Sequence, residues 1–317
     1  MHEIGGYIEL DKYNLPMLHE DAIALNTGRN CLAYLIESRN IQKIYLPYYI
    51  CSAVTDTCKK LGVEIDYYHI SDNFSIPHFD IENGAYFYVV NYFGQLSNNE
   101  ILLLKDRYKN IIVDNAQAYF QLPVKEIDTI YTCRKFLGVT DGSFLYTNKK
   151  LKRKLEQDIS HQRICFLYGR FEECGSEFYQ DFLKNEEILC NLPLKQMSKL
   201  TNNLLHGIYY EFIKNRRTNN YIYLFEKLKR LNKLNLKMIE GAYAYPLYME
   251  NGNELRKKLI ANKIYVPTLW PNVITDELKC ALEYDMALNI LPLPCDQRYG
   301  EEDMEYILRI IVKEGWL

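Results

Sequence analysis

Short apolar segments alternate with helical patterns over the first half of the chain. Tyr86-Phe-Tyr-Val-Val90 and Ile111-Ile-Val113 offer no polar face to water. Strands with two apolar faces are typical of a parallel sheet that is covered by helices on both sides. Short connections join these segments to helical patterns at residues 52–61 and 98–109. The alternation therefore predicts an α/β domain with a largely parallel sheet.

Two charged side chains stand at the ends of consecutive predicted strands. Asp114 directly follows the segment 111–113, and Lys135 follows the next predicted strand, residues 128–132. Ligands bind beyond the carboxyl ends of parallel strands, so both side chains can reach one pocket. An acid that keeps a pyridinium nitrogen protonated and a lysine that forms a Schiff base suit pyridoxal phosphate. The alternative is a helix-capping aspartate and a solvated lysine.

A glycine turn precedes the first helical pattern. Asn26-Thr-Gly28 is followed by Leu32, Leu35 and Ile36, which recur on one helix face. The backbone N–H groups at the start of a helix attract a phosphate, and Arg29 could add a charged fork to them. A plain helix cap with a solvated arginine is the alternative.

Charge and cysteine content restrict the class of protein. The 38 Lys and Arg against 41 Asp and Glu give a net charge of -3, which does not indicate nucleic acid or an anionic membrane as a partner. Nine cysteines without a C-x-x-C pair indicate reduced thiols, and six histidines without an H-x-x-x-H pair argue against a metal site. No apolar run approaches the roughly 18 residues of a membrane span. The first five residues lack a signal pattern. We expect a soluble, cytoplasmic protein.

The second half of the chain is less regular. Residues 150–196 mix charged, aromatic and cysteine residues and support no assignment of elements. A long helical pattern runs from about residue 198 to 231, and residues 240–317 read as a small α+β unit. We therefore predict a large α/β domain at residues 1–196, and a long helix with a small C-terminal α+β domain at residues 197–317.

Short motifs are spread along the chain from about residue 25 to 313. They are Thr27-Gly-Arg-Asn-Cys-Leu32, Leu46-Pro-Tyr-Tyr49, Val90-Asn-Tyr-Phe-Gly-Gln95, Val113-Asp-Asn-Ala-Gln-Ala118, Lys135 with Asp141-Gly142, Leu291-Pro-Leu-Pro294 and Glu301-Glu-Asp303. Together they resemble the motifs of the sugar aminotransferases of the DegT/DnrJ type, which are fold-type-I pyridoxal phosphate enzymes. The segment 113–118 is the most specific, because it is similar to the family's Glu-Asp-x-Ala-Gln-Ala.

The resemblance implies a role for each matching residue. Lys135 would be the Schiff-base lysine and would later carry a proton between the substrate carbon and C4′ of the cofactor. Asp114 would pair with the ring nitrogen, and Gln117 would contact the phenolic oxygen. The residues that would hold the phosphate are Gly28, Arg29, Asn30 and Thr132.

Three positions depart from the family's pattern. The serine five residues before the lysine is Ile130 here. The aromatic residue that stacks on the cofactor is replaced by Cys51, so we expect Tyr49 or its neighbour Tyr48 to bind there instead. The asparagine that a second subunit lends to the phosphate aligns with Leu194, so that contact is lost unless one of the next two residues replaces it.

The resemblance also implies a fold and a reaction. The fold is that of aspartate aminotransferase-like enzymes, with a mostly parallel sheet between helices and a small C-terminal α+β domain. The reaction is the transfer of an amino group from Glu or Gln to a keto sugar, expected to be nucleotide-linked. Two alternatives stay open, namely a different pyridoxal phosphate reaction on a sugar and a non-catalytic or regulatory relative. Lys135 argues against the dehydrating relatives, in which a histidine replaces the lysine.

A homodimer is expected, because the active site of this fold type lies between two subunits. Residues 1–20 show no clear period and are interpreted as an arm that lies over another part of the protein or over the partner. The expected partners are thus a sugar, an amino-acid donor and a second copy of the chain.

Overall fold

The computed structural model describes residues 4–315, and within them the main sheet has seven strands. They are β1 (Ile23–Leu25), β2 (Lys43–Pro47), β3 (Glu64–Tyr68), β4 (Tyr86–Val90), β5 (Ile111–Asp114), β6 (Asp128–Thr132) and β7 (Ser143–Tyr146). Their order across the sheet is β1-β7-β6-β5-β4-β2-β3. Only β7 is antiparallel to its neighbours, and the other adjacent pairs are parallel. The predicted mostly parallel sheet is confirmed, although the three-residue edge strand β1 was too short to be predicted.

Helices flank this sheet and continue through the second half of the chain. They are α1 (Gly28–Arg39), α2 (Ser52–Lys60), α3 (Asn98–Tyr108), α4 (Cys165–Glu172), α5 (Tyr179–Asn191), α6 (Lys199–Leu205), α7 (Tyr210–Leu228), α8 (Gly252–Ala261), α9 (Leu282–Asn289) and α10 (Glu301–Lys313). Capping residues in the local sequence determine where some of these helices begin. The side chain of Thr27 accepts from the backbone of Asn30 at the start of α1, and Ser97 and Glu100 form a capping box on α3.

The predicted long helix over residues 198–231 is two helices in the structure. α6 ends and α7 begins around residues 206–209, where the N-terminal arm crosses the chain. The backbone of Leu15 donates to the carbonyl of His206 at 2.9 Å. A Cβ on Gly207 would lie 2.9 Å from the ring of Tyr13, so only glycine leaves room for that ring. The interruption therefore depends on a contact between distant parts of the chain, which the helical pattern does not contain.

A second, two-stranded sheet belongs to the C-terminal part. β8 (Tyr245–Tyr248) and β9 (Ile290–Leu293) pair antiparallel, and α8 and α9 contact β9. The expected extended segment at residues 264–267 belongs to neither sheet. The larger apolar cluster contains side chains from both halves of the chain, and the domain boundary at residue 196 stays a prediction.

A smaller apolar cluster lies behind the turn that carries Lys135. Its members are Met17, Tyr119, Tyr131, Cys133, Phe136, Leu137, Val139, Phe144, Met197, Leu205 and Ile213. The turn is thus anchored by its own neighbours, Cys133 and Phe136, while the lysine between them is exposed. Across residues 4–315, none of the helices is both long enough and apolar enough to cross a membrane.

Candidate active site

Asp114, the turn that carries Lys135 and the start of α1 lie at the same edge of the main sheet. Asp114 ends β5 and is in register with Ile130 of the adjacent parallel strand β6. A Cβ on Gly28 would lie 3.9 Å from the side chain of Ile130, so the start of α1 reaches the same place. Lys135 lies three residues beyond the end of β6. The structure therefore brings the acid, the lysine turn and the helix start together beyond the carboxyl ends of β5 and β6.

Asp114 is held by one hydrogen bond to each carboxylate oxygen. Its Oδ1 accepts from the backbone N–H of Ala116 at 2.8 Å, and its Oδ2 accepts from the hydroxyl of Tyr88 at 2.9 Å. Burial, reinforced by the charge of Asp114, raises the pKa of Tyr88 well above its ordinary value, so that hydroxyl keeps its proton. The carboxylate is therefore fixed in direction and remains partly accessible at the strand end.

Only one of the two polar atoms in the side-chain amide of Gln117 has a hydrogen-bond partner among the described residues. Its Oε1 accepts from the backbone N–H of Phe93 at 2.8 Å, whereas its Nε2 is buried without a partner among residues 4–315. Buried donors are rarely left unpaired, and an unpaired one needs an explanation. Phe93 has a φ of 52°, in the left-handed region that a bulky residue rarely adopts. The hydrogen bond that Gln117 accepts from Phe93 helps to hold this strained loop, whereas the amide hydrogens of Gln117 have no acceptor among the described residues.

The amine of Lys135 lies against an aromatic ring from the second half of the chain. Its Nζ is 5.7 Å from the centroid of the Tyr243 ring, which also packs beside Phe136 and Phe93. Cation–π contact of this kind orients an ammonium group. Tyr243 was not predicted as a site residue, because no motif or spacing in the sequence connects it with Lys135.

The start of α1 supplies the predicted phosphate contacts only in part. Gly28 and Arg29 are half-buried at the first turn of the helix, where backbone N–H groups lack partners within the helix. Thr132 is buried at the end of β6, opposite Ser143, whose buried hydroxyl has no partner in the described part of the chain. These positions are compatible with an anion at the helix start.

Positive charge is concentrated near this helix start. Arg134, the neighbour of Lys135, is half-buried and forms an ion pair with Glu186 of α5. Burial, together with the nearby charges of Arg29 and Arg163, lowers the pKa of Arg134 to about 10. Neighbouring positive charges of this kind favour the binding of an anion.

Two predicted site residues, Asn30 and Tyr49, are engaged by other parts of the chain in this structure. The backbone N–H of Asn30 is bonded to Thr27, and its amide donates to the side chain of Asn26 at 2.8 Å and to the carbonyl of Pro193 at 2.9 Å. These bonds leave Asn30 no donor for a phosphate. Tyr49 has no exposed surface, because its ring is covered by Trp270 at 5.0 Å between centroids. A ring without exposed surface cannot stack on a ligand.

The neighbouring ring is also engaged. Tyr48 packs against Tyr67 at 5.0 Å and against His69 at 4.5 Å between ring centroids. The aromatic face that the site offers is therefore that of Tyr243, beside the lysine, rather than a ring that follows β2.

Comparison with known proteins adds structural neighbours and no close sequence relative. No family model and no curated protein matches the chain. Solved structures of low sequence identity match nearly its whole length. A DegT DnrJ EryC1 StrS aminotransferase from Brucella abortus is 17% identical with a TM-score of 0.64, covering 92% of this chain and 85% of that one. The sugar aminotransferase CalS13 from Micromonospora echinospora is 14% identical with a TM-score of 0.62, covering 93% and 87%.

A third neighbour was solved with a cofactor. NtdA from Bacillus subtilis with bound PMP is 14% identical with a TM-score of 0.63, covering 95% of this chain and 78% of that one. The chain has the fold of the DegT/DnrJ-type sugar aminotransferases. The predicted sugar aminotransferase fold, with its small C-terminal α+β part, is thereby confirmed over most of the chain.

Proposed function

We propose that this chain is a pyridoxal phosphate-dependent aminotransferase that transfers an amino group from Glu or Gln to a nucleotide-linked keto sugar. The observation that carries the proposal is the unpaired, buried amide of Gln117 beside the fixed carboxylate of Asp114, at the strand ends where Lys135 presents its amine. A hydrogen-bond donor, an acid and an amine are the three groups that the cofactor ring uses.

The residues of the site fit this cofactor. Asp114 would accept a hydrogen bond from the protonated pyridine nitrogen, since its carboxylate is already oriented by Tyr88 and Ala116. Gln117 would donate its free amide hydrogen to the phenolic oxygen. Lys135 would bind the cofactor covalently through Nζ and act as general base and acid on the substrate carbon. When bound, pyridoxal phosphate supplies an electron sink for the carbon that carries the amino group.

The phosphate would be held at the start of α1. We propose Gly28, Arg29 and Thr132 for this role, because backbone N–H groups at the start of a helix of twelve residues attract an anion. Asn30 and Tyr49 are left out of the proposed cofactor site. The aromatic contact is assigned to Tyr243 instead, whose ring lies beside the amine of Lys135.

Sugar and donor specificity rest on structural likeness. CalS13 is by its description a sugar aminotransferase, and NtdA was solved with PMP, which supports the same cofactor and substrate class here. We also propose a homodimer, since exposed apolar side chains such as Ile8 and Phe171 are 90% and 91% exposed in the single chain. A cytoplasmic location is part of the proposal and is supported by nine cysteines that form no disulfide.

The test is the visible absorbance of the purified protein with added pyridoxal phosphate, before and after borohydride, for the wild type and Lys135→Ala. The wild type should form a coloured adduct that borohydride fixes covalently, and mass spectrometry should locate the label on Lys135. The Lys135→Ala variant should bind the cofactor without fixation. In a separate sample without borohydride, adding Glu or Gln should bleach the wild-type band if the protein is an aminotransferase.

The two alternatives give different results in the same experiment. An enzyme that performs another reaction on sugars would form the fixed adduct and would not respond to either amino donor. A non-catalytic relative would form no adduct at any cofactor concentration, which would refute the proposal.

A further inference from the structure

Arg217 is a buried arginine that forms no ion pair within 4 Å among residues 4–315, although the nearby charge of Asp296 favours its protonated form. It lies in the first half of α7 and is 1% exposed. No acidic oxygen of the described chain lies within 4 Å of its guanidinium, which sets it apart from Arg134 with its partner Glu186. Burying such a charge is unfavourable, and burial accordingly lowers the pKa of Arg217. A role in simple packing would be filled better by an apolar residue.

The donors of Arg217 go to neutral acceptors that surround Lys135. Its Nη2 donates to the carbonyl of Phe136 at 3.1 Å, and its Nη1 donates to the carbonyls of Ala242 and Tyr243 at 3.0 and 3.3 Å. The guanidinium carbon lies 4.6 Å from the centroid of the Phe136 ring. The residue after Lys135 is thus held both by its backbone and by its side chain.

Gln297 completes the arrangement from the C-terminal part of the chain. Its Oε1 accepts from Nε of Arg217 at 2.8 Å, and its Nε2 donates to the same Phe136 carbonyl at 2.8 Å. One carbonyl oxygen therefore receives two hydrogen bonds, which uses both of its lone pairs. Three segments that are distant in the sequence thus meet at the Phe136 carbonyl, in the residue after Lys135.

These contacts hold the two groups that orient Lys135, namely the backbone next to it and the ring of Tyr243. The carbonyl of Phe136 is in the residue next to Lys135, so its bonds fix the backbone from which the lysine projects. The Tyr243 carbonyl belongs to the residue whose ring lies 5.7 Å from Nζ of Lys135. A single guanidinium thus connects the lysine's backbone with the ring beside its amine.

We propose that Arg217 is a positioning residue that holds Lys135 in its reactive orientation, with Gln297 as its support. The inference rests on the proposed function only in one respect, namely that Lys135 is taken to be the reactive lysine. Its physical content, a fixed lysine turn, can be measured without any cofactor.

The first experiment measures the reactivity of the lysines in the cofactor-free protein. The protein is treated with trace acetic anhydride, and mass spectrometry gives the acetylation rate of Lys135 relative to the other lysines. Arg217→Met and Gln297→Leu should raise this relative rate several-fold, because the amine is no longer held against Tyr243. Arg256→Met is the matched control, since Arg256 is also buried and donates to two carbonyls, of Leu288 and Ile290, away from the lysine.

The outcomes separate positioning from general stabilisation. An increase confined to Lys135, absent in Arg256→Met, supports the proposal. An unchanged relative rate in both Arg217→Met and Gln297→Leu overturns it, as does an equal increase in Arg256→Met. If Arg217→Met fails to fold, Gln297→Leu decides, because it removes one of the two bonds to the Phe136 carbonyl and leaves the guanidinium in place.

The second experiment uses pyridoxal phosphate and borohydride on the same variants. Arg217→Met should slow fixation on Lys135 about tenfold or more, because misplacing a reacting group by about 1 Å can cost on the order of a hundredfold in rate. Arg217→Lys should remain slow, since an ammonium group cannot reach all of these acceptors at once. Faster acetylation together with slower fixation is a pattern that loss of stability alone does not produce. If the wild type forms no adduct, the proposed function fails, and the acetylation result still decides the role of Arg217.

Discussion

Of the two polar atoms in the Gln117 side chain, Oε1 is hydrogen-bonded within residues 4–315 and Nε2 is not. We therefore predict that replacing Gln117 changes cofactor affinity much more than it changes stability. Gln117→Met removes the acceptor of the Phe93 N–H, which then becomes a buried, unpaired donor. It also removes the amide Nε2, which is a buried, unpaired donor already. Each such group costs about 1–3 kcal/mol. The two effects oppose each other, so the free energy of unfolding should change by only about 1 kcal/mol.

Cofactor binding should respond much more strongly to the same change. A hydrogen bond to a charged acceptor contributes about 1.5–3 kcal/mol, which corresponds to a loss of affinity of roughly tenfold to a hundredfold. Urea unfolding of the cofactor-free protein measures the first quantity. Titration with pyridoxal phosphate, followed by visible absorbance, measures the second.

A nearby glutamine provides the matched control. Gln121 accepts from Asn91 at 2.8 Å and donates to the carbonyl of Leu96 and the side chain of Asn98 at 2.9 and 2.7 Å, so both of its polar atoms are paired. Gln121→Met should therefore lower the free energy of unfolding by about 1–3 kcal/mol. It should leave cofactor affinity nearly unchanged. The reasoning is refuted if Gln117→Met destabilises the protein as much as Gln121→Met does and leaves cofactor affinity at the wild-type value.

Three further changes test other parts of the site and the core. Lys135→Ala should abolish covalent fixation by borohydride while leaving the unfolding midpoint within error, because the side chain is exposed; fixation on another residue would contradict the assignment. Asp114→Asn should slow the half-reaction with the amino donor by about tenfold to a hundredfold, since it removes a charged hydrogen bond to the ring nitrogen. Stopped-flow absorbance measures that rate, and an unchanged rate would remove Asp114 from the mechanism. Burial of His19 lowers its pKa from 6.5 to about 4, so the folded protein binds this proton more weakly than the unfolded chain does. Above pH 6.5 this difference in proton binding costs no stability. As the pH falls from 6.5 to 4, the free energy of unfolding decreases by up to about 3 kcal/mol. His19→Gln should flatten the dependence of the urea midpoint on pH in that window, and identical slopes in both proteins would contradict this account.

The packing around His19 explains why this residue gave no signal in the sequence. Its Nδ1 is bonded to the Tyr146 hydroxyl at 3.1 Å and its Nε2 to the Tyr119 carbonyl at 2.9 Å. Both partners are more than ninety residues away along the chain. A buried, neutral histidine of this kind is defined by its tertiary contacts alone.

The sequence by itself determined the sheet and the strand-end residues. Segments such as 86–90 and 111–113 are apolar on both faces, which is stable only in a sheet covered on both sides. Asp114 and Lys135 follow consecutive strands that turn out to be neighbours. Both features are local, because a strand's pattern and the residue that ends it lie within a few positions of each other.

Only the tertiary structure decided which side chains reach the site. Asn30 and Tyr49 stand at the expected places in their motifs, but one is bonded to Pro193 and the other is covered by Trp270. Tyr243 and Arg217 surround the lysine turn although they lie far from it in the sequence. Local patterns determine where a chain extends or coils. The burial of a ring and the partners of a guanidinium depend on contacts between segments that no local pattern contains.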